Sequence, residues 1–179
     1  MKTTEILIAG FGGQGILFSG KFLAYKGLLE DLQVSWLPSY GPEMRGGTAN
    51  CNVILSDTPV GSPIITAPGV LIAMNLPSLE KYVKSVVAGG QIYVDSSLID
   101  AKVERDDVEV FYIPATQMAK DAGIATLANM IIVGHLLENN PELDFAGTDA
   151  VVSKLVPPKK AALVELNMKA LEMGKNFNK

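Results

Sequence analysis

Apolar residues in this chain fall into short runs that alternate with longer segments of helical spacing. Most of the runs are rich in β-branched residues and are bounded by Gly, Pro or Asp, which is typical of buried strands. Strands that are apolar on both faces favour a parallel sheet covered by helices. The pattern predicts strands over residues 5–9, 33–37, 50–55, 70–74, 91–95 and 109–113.

Helical spacing fills most intervals between these strands and dominates the last third of the chain. Pro77 suits a first helical turn, and Gly123 and Gly174 suit helix ends. We therefore expect an α/β, Rossmann-like fold with a mostly parallel sheet flanked by helices and a helical C-terminal third, forming a single domain over residues 1–179. The predicted helices cover residues 15–29, 77–87, 115–122, 127–137, 149–155 and 159–173.

A glycine-rich turn joins the first predicted strand to the first predicted helix. It reads Gly10-Phe11-Gly12-Gly13-Gln14-Gly15 and fits G-x-G-x-x-G, a spacing that brings backbone close to a phosphate at a helix N-terminus. Sites of this type that bind NAD usually carry an acidic residue at the end of the second strand. That strand ends here in Leu37-Pro38-Ser39, which disfavours NAD. The turn either binds another ligand or allows close packing of helix on sheet.

A second segment with ligand-type chemistry follows the second predicted strand. Arg45 offers a planar guanidinium group to a phosphate or carboxylate, and the surrounding glycines let the backbone approach a ligand. The alternative is an ordinary surface turn in which Glu43 and Arg45 neutralise each other. The candidate ligand-binding residues of the two segments are Gly10, Gly12, Gly13, Gln14, Gly15, Ser39, Tyr40, Gly41, Glu43, Met44, Arg45, Gly46 and Gly47.

The region around this second segment has a distinctive sequence. It reads Trp36-Leu37-Pro38-Ser39-Tyr40-Gly41-Pro42-Glu43-Met44-Arg45-Gly46-Gly47-Thr48-Ala49-Asn50-Cys51. This run resembles the signature of the gamma subunit of 2-oxoacid:ferredoxin oxidoreductases, and it looks more like the 2-oxoglutarate and 2-oxoisovalerate branches than the indolepyruvate branch. The glycine turn, Ala128-Asn129-Met130 and Leu166-Asn167-Met168 are similar to the family in order and spacing, so the resemblance covers nearly the whole chain.

The resemblance implies a subunit with no catalytic residues of its own, in an enzyme that decarboxylates a 2-oxoacid oxidatively to an acyl-CoA and reduces ferredoxin. Coenzyme A is the ligand implied at this chain. Thiamine diphosphate, Mg and iron–sulfur clusters are implied on partner subunits. The implied partners are alpha and beta subunits and a ferredoxin-like delta subunit, with ferredoxin reached through the complex, and a homodimer stays open for the isolated chain.

Composition narrows the function classes. A net charge of −4 without a basic tract argues against nucleic acid binding. The single cysteine, Cys51, cannot by itself hold an iron–sulfur cluster, and it lies in an alternating strand where a buried thiol is expected. The apolar runs are too short or too interrupted for a membrane segment or a secretory signal, so we expect no membrane contact and a cytoplasmic location.

The remaining polar candidates have structural alternatives. His135 lies on an apolar helix with Glu138 three residues on, which favours a packed histidine capped by that carboxylate. Asp95 either faces the ligand edge of the sheet or caps the next segment. Three hypotheses follow: a gamma subunit that contributes assembly and coenzyme A contacts, a scaffold subunit only, and a self-sufficient nucleotide-dependent enzyme, whose catalytic acid or base we do not find.

Overall fold

The structure is a computed structural model that describes residues 2–39 and 48–178. Within these residues the chain forms six strands and six α-helices. The strands are β1 (Thr3–Phe11), β2 (Gln33–Ser39), β3 (Thr48–Ser56), β4 (Val70–Ala73), β5 (Gln91–Asp95) and β6 (Glu109–Ile113). The helices are α1 (Ile16–Leu29), α2 (Leu76–Tyr82), α3 (Ala115–Asp121), α4 (Ala128–Asn139), α5 (Thr148–Leu155) and α6 (Ala162–Lys175).

The six strands form one sheet in the order β2-β3-β1-β4-β5-β6. Strands β1, β4, β5 and β6 are parallel, whereas β3 runs antiparallel to both of its neighbours, β1 and β2. Five strands therefore point one way and one strand points the other way. The prediction of an α/β fold with a mostly parallel sheet is confirmed, and the helical C-terminal third is confirmed as well.

The two faces of the sheet carry cores of unequal size. The larger core gathers α1 and the C-terminal helices, including Phe22, Ile131 and Leu171, against one face. The smaller core packs Leu79 of α2 and Ile99 against the opposite face. This arrangement explains the apolar composition of β4 and β5, whose residues are buried throughout because both faces are covered.

Helices α4 and α6 approach each other closely at two glycines. A β-carbon added at Gly134 would overlap the carbonyl oxygen of Leu171, and one added at Gly174 would overlap that of Ile131. Backbone atoms cannot turn aside as a flexible side chain can, so only glycine fits at these two positions. The contact fixes α6 along α4, and α4 in turn contacts α1.

None of the helices in the described ranges is both long and apolar enough to traverse a lipid bilayer.

Candidate functional site

The glycine turn follows β1 and ends at the start of α1. Gly13 and Gly15 have positive φ angles of 91° and 77°, a conformation that residues with a β-carbon rarely adopt. Gly15 is the N-cap of α1 and, because glycine has no side chain, it makes no side-chain hydrogen bond to the helix. The turn therefore depends on glycine at these two positions.

Gln14 holds the turn against the neighbouring strand. Its Oε1 accepts a hydrogen bond from the backbone nitrogen of Phe11 at 2.6 Å, and its Nε2 donates to the carbonyl oxygen of Met74 at 2.9 Å. A β-carbon at Gly10 would lie 2.6 Å from that same Oε1 and 2.7 Å from Cδ1 of Ile16. Gly10 and Gln14, both candidate ligand residues in the sequence, thus have packing and positioning roles in the structure.

The first turn of α1 presents unused hydrogen-bond donors. The first intrahelical bond runs from the nitrogen of Ser19 to the carbonyl oxygen of Gly15, at 3.0 Å. The preceding N–H groups of a helix have no acceptor within the helix, and they carry the positive end of its dipole. No acidic residue lies in this first turn. The end of α1 is therefore suited to bind an anion.

A concavity of about 290 Å³ lies at this end of α1. Its walls include Phe11, Gly12, Gly13 and Gly15 together with the first turn of the helix. A β-carbon at Gly13 would meet no atom of residues 2–39 and 48–178 within 4 Å, so among these residues the backbone there is uncovered. Gly12, Gly13 and Gly15 are the predicted site residues that the structure brings together around one opening.

The second predicted segment connects two strand ends at the same edge of the sheet. Thr48, where β3 begins, pairs with Phe11, where β1 ends, and Ser39 at the end of β2 pairs with Asn50. Both ends of the connection thus lie near the glycine turn, with β3 between Ser39 and β1. The predicted site residues Tyr40, Gly41, Glu43, Met44, Arg45, Gly46 and Gly47 fall outside the described residues.

Asn129 joins α4 to the glycine turn, a contact that the sequence reasoning missed. Its Nδ2 donates to the carbonyl oxygen of Gly15 at 3.2 Å and to the hydroxyl of Ser19 at 2.9 Å. The residue is 3 % exposed, and its Oδ1 has no hydrogen-bond partner in the described part of the chain. An amide in the first turn of a helix that is otherwise apolar up to Gly134 was the signal available in the sequence.

Comparison with known proteins agrees with this fold. The model of the pyruvate ferredoxin/flavodoxin oxidoreductase family matches residues 5–177. The chain belongs to that family. Within it, the chain is a gamma-type sequence, similar to the 2-oxoglutarate synthase subunit KorC of Methanothermobacter marburgensis at 34 % identity over 97 % of this chain and 95 % of that protein.

Other gamma-type relatives include longer chains. The ketoisovalerate oxidoreductase subunit VorA of Methanothermobacter thermautotrophicus is 37 % identical over 95 % of this chain, which spans only 35 % of that relative's length. The oxidoreductase gamma subunit of Geobacter sulfurreducens has a solved structure that matches with a TM-score of 0.81, at 30 % identity over 96 % of both chains. The 2-oxoglutarate:ferredoxin oxidoreductase of Magnetococcus marinus, solved with 2-oxoglutarate, coenzyme A and succinyl-CoA, matches with a TM-score of 0.84 at 27 % identity, over 98 % of this chain and 31 % of that one.

Asp95 of this gamma-type chain is buried and caps neighbouring backbone. It is fully buried, and its carboxylate accepts hydrogen bonds from the backbone nitrogen of Ser97 at 3.1 Å and the hydroxyl of Thr116 at 2.5 Å. These contacts tie the end of β5 to the start of α3. Of the two roles that the sequence left open for Asp95, the structure supports the cap.

His135 is a packed residue, as expected, but its hydrogen-bond partner differs from the expected one. Its Nδ1 lies 3.0 Å from the carbonyl oxygen of Gly174, which can only accept, so Nδ1 carries the proton. Burial lowers the pKa of the imidazole, while that hydrogen bond and the charge of Glu138 oppose the shift. The Gly174 carbonyl therefore orients the ring through Nδ1, and Glu138 acts on the ring electrostatically.

Two further reactive groups are held by the core. Cys51 is fully buried, which confirms the expectation, and burial raises the pKa of its thiol to about 12. Lys26 is 1 % exposed and donates to Glu30, to Asp144 at 2.9 Å and to the carbonyl oxygen of Ala146 at 3.0 Å. Neither group is available for chemistry, and across residues 2–39 and 48–178 no cluster of three metal-ligating side chains forms.

Proposed function

We propose that this chain is the gamma subunit of a multi-subunit 2-oxoacid:ferredoxin oxidoreductase and that it contributes assembly and part of the coenzyme A site. The complex would oxidise 2-oxoglutarate or 2-oxoisovalerate to the acyl-CoA and pass electrons to ferredoxin. The names of the relatives KorC and VorA support these two substrates. Thiamine diphosphate, Mg and the iron–sulfur clusters would belong to the alpha, beta and ferredoxin-like delta subunits.

The open N-terminus of α1 is the observation that carries the coenzyme A proposal. Coenzyme A bears phosphates, and a helix end with free N–H groups and no neighbouring acid in its first turn favours them. The space beside Gly13 leaves room for a ligand at the backbone. Arg45 would add a bidentate contact from the connection whose two ends lie at this edge of the sheet. The relative from Magnetococcus marinus was solved with coenzyme A, which supports the same ligand class.

A scaffold role is the second candidate, and exposed apolar side chains favour it. The strand β1 ends at Phe11, and Leu76 and Leu98 lie shortly after the ends of β4 and β5. The exposed fractions of the three residues are 42 %, 38 % and 48 %. Because these parallel strands end at one edge of the sheet, the three side chains lie along the edge that carries the glycine turn. Exposed apolar residues of this kind are typical of surfaces that meet another protein. In this reading the glycine turn serves only subunit contact.

An Arg45→Ala variant of the whole complex separates the two candidates. Bidentate contacts to charged groups contribute about 1.5–3 kcal/mol each, so we expect coenzyme A affinity to fall about tenfold to a hundredfold. The KM of the 2-oxoacid should change little. Titration of coenzyme A against purified complexes measures the effect, and co-purification with the thiamine diphosphate-bearing subunits shows whether the variant assembles.

Arg45→Lys is the matched control, because it keeps the charge and removes the planar fork. We expect it to lie between the wild-type complex and Arg45→Ala. If a fully assembled Arg45→Ala complex shows unchanged coenzyme A dependence, the coenzyme A role at Arg45 is wrong and the scaffold role is favoured.

A further inference from the structure

The strand β2 lies at one edge of the sheet, with β3 on its inner side. The nitrogen of Asp57 donates to the carbonyl oxygen of Lys2 at 3.1 Å, so this pair is hydrogen-bonded between the chain segments of β1 and β3. In an antiparallel ladder such pairs recur at every second residue, and the residues between them bond to the other neighbour. The registers therefore direct the backbone of Ser35 toward β3 and the backbone of Val34 and Trp36 outward.

The outer edge of β2 offers unpaired backbone groups and no charge. Val34 and Trp36 each present an N–H and a carbonyl group there, and Pro38 presents a carbonyl group only. Among residues 2–39 and 48–178, the N–H groups of Val34 and Trp36 have no acceptor on this side. No residue of β2 is charged, although charged side chains commonly protect edge strands from pairing. The edge is therefore suited to pair with another extended strand.

Helix α1 lies above the gap between β2 and β3. A β-carbon at Gly20 would meet side chains of both Trp36 and Cys51, one from each strand, and a β-carbon at Gly27 would likewise meet both strands. Since strands are about 4.8 Å apart, the helix axis lies about 2.4 Å inside β2. If β2 paired with β2 of a second copy, the two α1 helices would lie about 10 Å apart, a distance at which helices pack.

One exposed apolar residue of α1 faces this same edge. The hydroxyl of Ser19 accepts a hydrogen bond from Asn129 of α4, so Ser19 points toward the middle of the sheet. Leu28 follows nine residues later, which at about 100° per residue places it on the opposite side of α1, toward the edge. Leu28 is 54 % exposed. A helix of a second copy about 10 Å away would cover it.

We propose that two copies of this chain pair along β2, antiparallel and related by a two-fold axis, so that two six-stranded sheets become one. With Ser35 opposite Ser35 of the second copy, Val34 lies opposite Trp36, and all outward N–H and carbonyl groups of these two residues are paired. An aromatic residue opposite a β-branched one is also a favourable pair. A register centred on Trp36 would leave the carbonyl group of Val34 opposite Pro38, which has no N–H.

A second copy fits this surface better than an isolated strand does. A strand alone would pair with the backbone of β2 and leave Leu28 exposed, whereas a second copy brings a strand and a helix together. Because β2 has no charged residue, the pairing places no like charges opposite each other. Two-fold dimers use one self-complementary surface on both subunits, as this edge provides. The inference concerns assembly and does not depend on the coenzyme A role.

The first test is the mass of the full chain by sedimentation equilibrium. We expect twice the 19.1 kDa of one chain, with dissociation on dilution. A monomer at all concentrations up to about 100 µM, where a dimer of micromolar affinity would be fully formed, overturns the inference.

Two variants of α1 locate the interface. Leu28→Lys places a charge where the two helices would meet, so the dissociation constant should rise at least about tenfold. Leu29→Lys is the matched control. Leu29 is 58 % exposed, but it lies about 200° around the helix from Gly27 and points away from the sheet. It should leave the dimer intact. Equal dissociation constants for the two variants would contradict the proposed surface.

Cysteine cross-linking tests the register without weakening the contact. In the proposed pairing, Ser35→Cys brings two thiols to a Cα separation of about 4.5 Å, which suits a disulfide. Gln33→Cys is the control, because its two copies would be about 14 Å apart. The native Cys51 is fully buried and should not react. On mild oxidation, only Ser35→Cys should form a covalent dimer, and equal cross-linking of Gln33→Cys would overturn the pairing.

Hydrogen exchange in the complete oxidoreductase identifies the alternative occupant. We expect slow exchange at the amides of Val34 and Trp36, together with the Ser35→Cys cross-link. Slow exchange of these amides without that cross-link, in a chain that is monomeric alone, would overturn the second copy and assign the edge to a strand of a different subunit.

Discussion

Two regions of the molecule depend on glycine for opposite reasons. At the contact between α4 and α6, a β-carbon on Gly174 would lie 2.8 Å from the backbone nitrogen of His135, so glycine is required by lack of space. At the glycine turn, a β-carbon on Gly13 would meet no described residue within 4 Å, and glycine is required by the positive φ angle. Gly174 allows α4 and α6 to pack closely, whereas Gly13 leaves an opening beside the N-terminus of α1.

The turn itself contains both kinds of glycine. A β-carbon at Gly15 would lie 2.6 Å from the side chain of Asn129, and Gly10 is similarly confined by Gln14 and Ile16. Gly13 alone of these three faces open space. A G-x-G-x-x-G spacing therefore does not by itself identify the residues that face a ligand, because packing requires glycine as readily as binding does.

The largest effect is expected for Gly174→Ala. The added methyl group would overlap the carbonyl oxygen of Ile131, and neither helix backbone can move without losing the contact along α4 and α6. We expect the free energy of unfolding to fall by at least about 3 kcal/mol, the upper part of the range for overpacking. Urea denaturation followed by circular dichroism measures it.

Gly61→Ala is the control for that measurement. A β-carbon there would meet no atom within 4 Å, and Gly61 is not among the glycines with positive φ, so the change should be within about 0.5 kcal/mol of zero, as is usual at an exposed site. If Gly174→Ala were as stable as Gly61→Ala, the close approach of α4 and α6 would be wrong.

A smaller effect is expected for Gly13→Ala, and it sharpens the contrast with the helix contact. Strain at positive φ should cost about 1–2 kcal/mol, without any overlap. Gly89→Ala is the matched variant, because Gly89 has a φ angle of 77° and equally open surroundings, but it lies in the loop before β5. The two variants should lose similar stability in thermal denaturation.

Only Gly13→Ala should also weaken coenzyme A in the assembled complex, because only that methyl group would project into the opening at α1. If Gly89→Ala weakened coenzyme A to the same extent, the loss would reflect general destabilisation, and the glycine turn would not be the binding site.

The smallest expected effect is a pH dependence of the free energy of unfolding, caused by His135 at the contact between α4 and α6. Burial lowers the pKa of His135 from its ordinary value of 6.5, so the unfolded chain takes up a proton first as the pH falls. The free energy of unfolding should therefore be independent of His135 above about pH 7 and decrease as the pH falls below 6.5 toward the lower native pKa. Denaturation at a series of pH values measures the slope.

His135→Phe is the variant that assigns the slope. It keeps an aromatic ring beside Phe111 and Phe177, which pack edge-on against His135, and it removes the titrating group. In this variant the free energy of unfolding should no longer decrease as the pH falls from about 7 to about 5.5. A slope of the same size in this variant would place its origin elsewhere in the chain.

The sequence predicted most of the secondary structure because local signals bound the elements. The bounds of β5 and β6 agree with the prediction to the residue, since Gly90 precedes β5, Asp95 is its last residue and Pro114 follows β6. The reversed direction of β3 was not predicted. An apolar pattern records which faces of a strand are buried, and it contains no information on which way the strand runs beside its neighbours.

The contacts of the candidate site were harder to predict from the sequence, because they join residues that lie far apart in the chain. The glycine turn is contiguous in the chain and was recognised. The hydrogen bonds of Asn129 to Gly15 and Ser19 form only when α4 packs against α1. The Gly174 carbonyl that binds His135 lies 39 residues away, whereas helical spacing pointed to Glu138. Such partners are decided by tertiary packing, which periodicity does not encode.

The reversal of β3 bears on how this protein can diversify over evolution. Antiparallel neighbours need only a short link, whereas parallel neighbours need a long crossover that packs on the sheet. The link between Ser39 and Thr48 starts and ends at one edge, so insertions or deletions in it leave the pairing of β2 with β3 in register. Changes of sequence in that link, which contains Arg45, therefore disturb the folding of the core less than changes within the strands that it joins, so the link can diverge while the core is inherited unchanged.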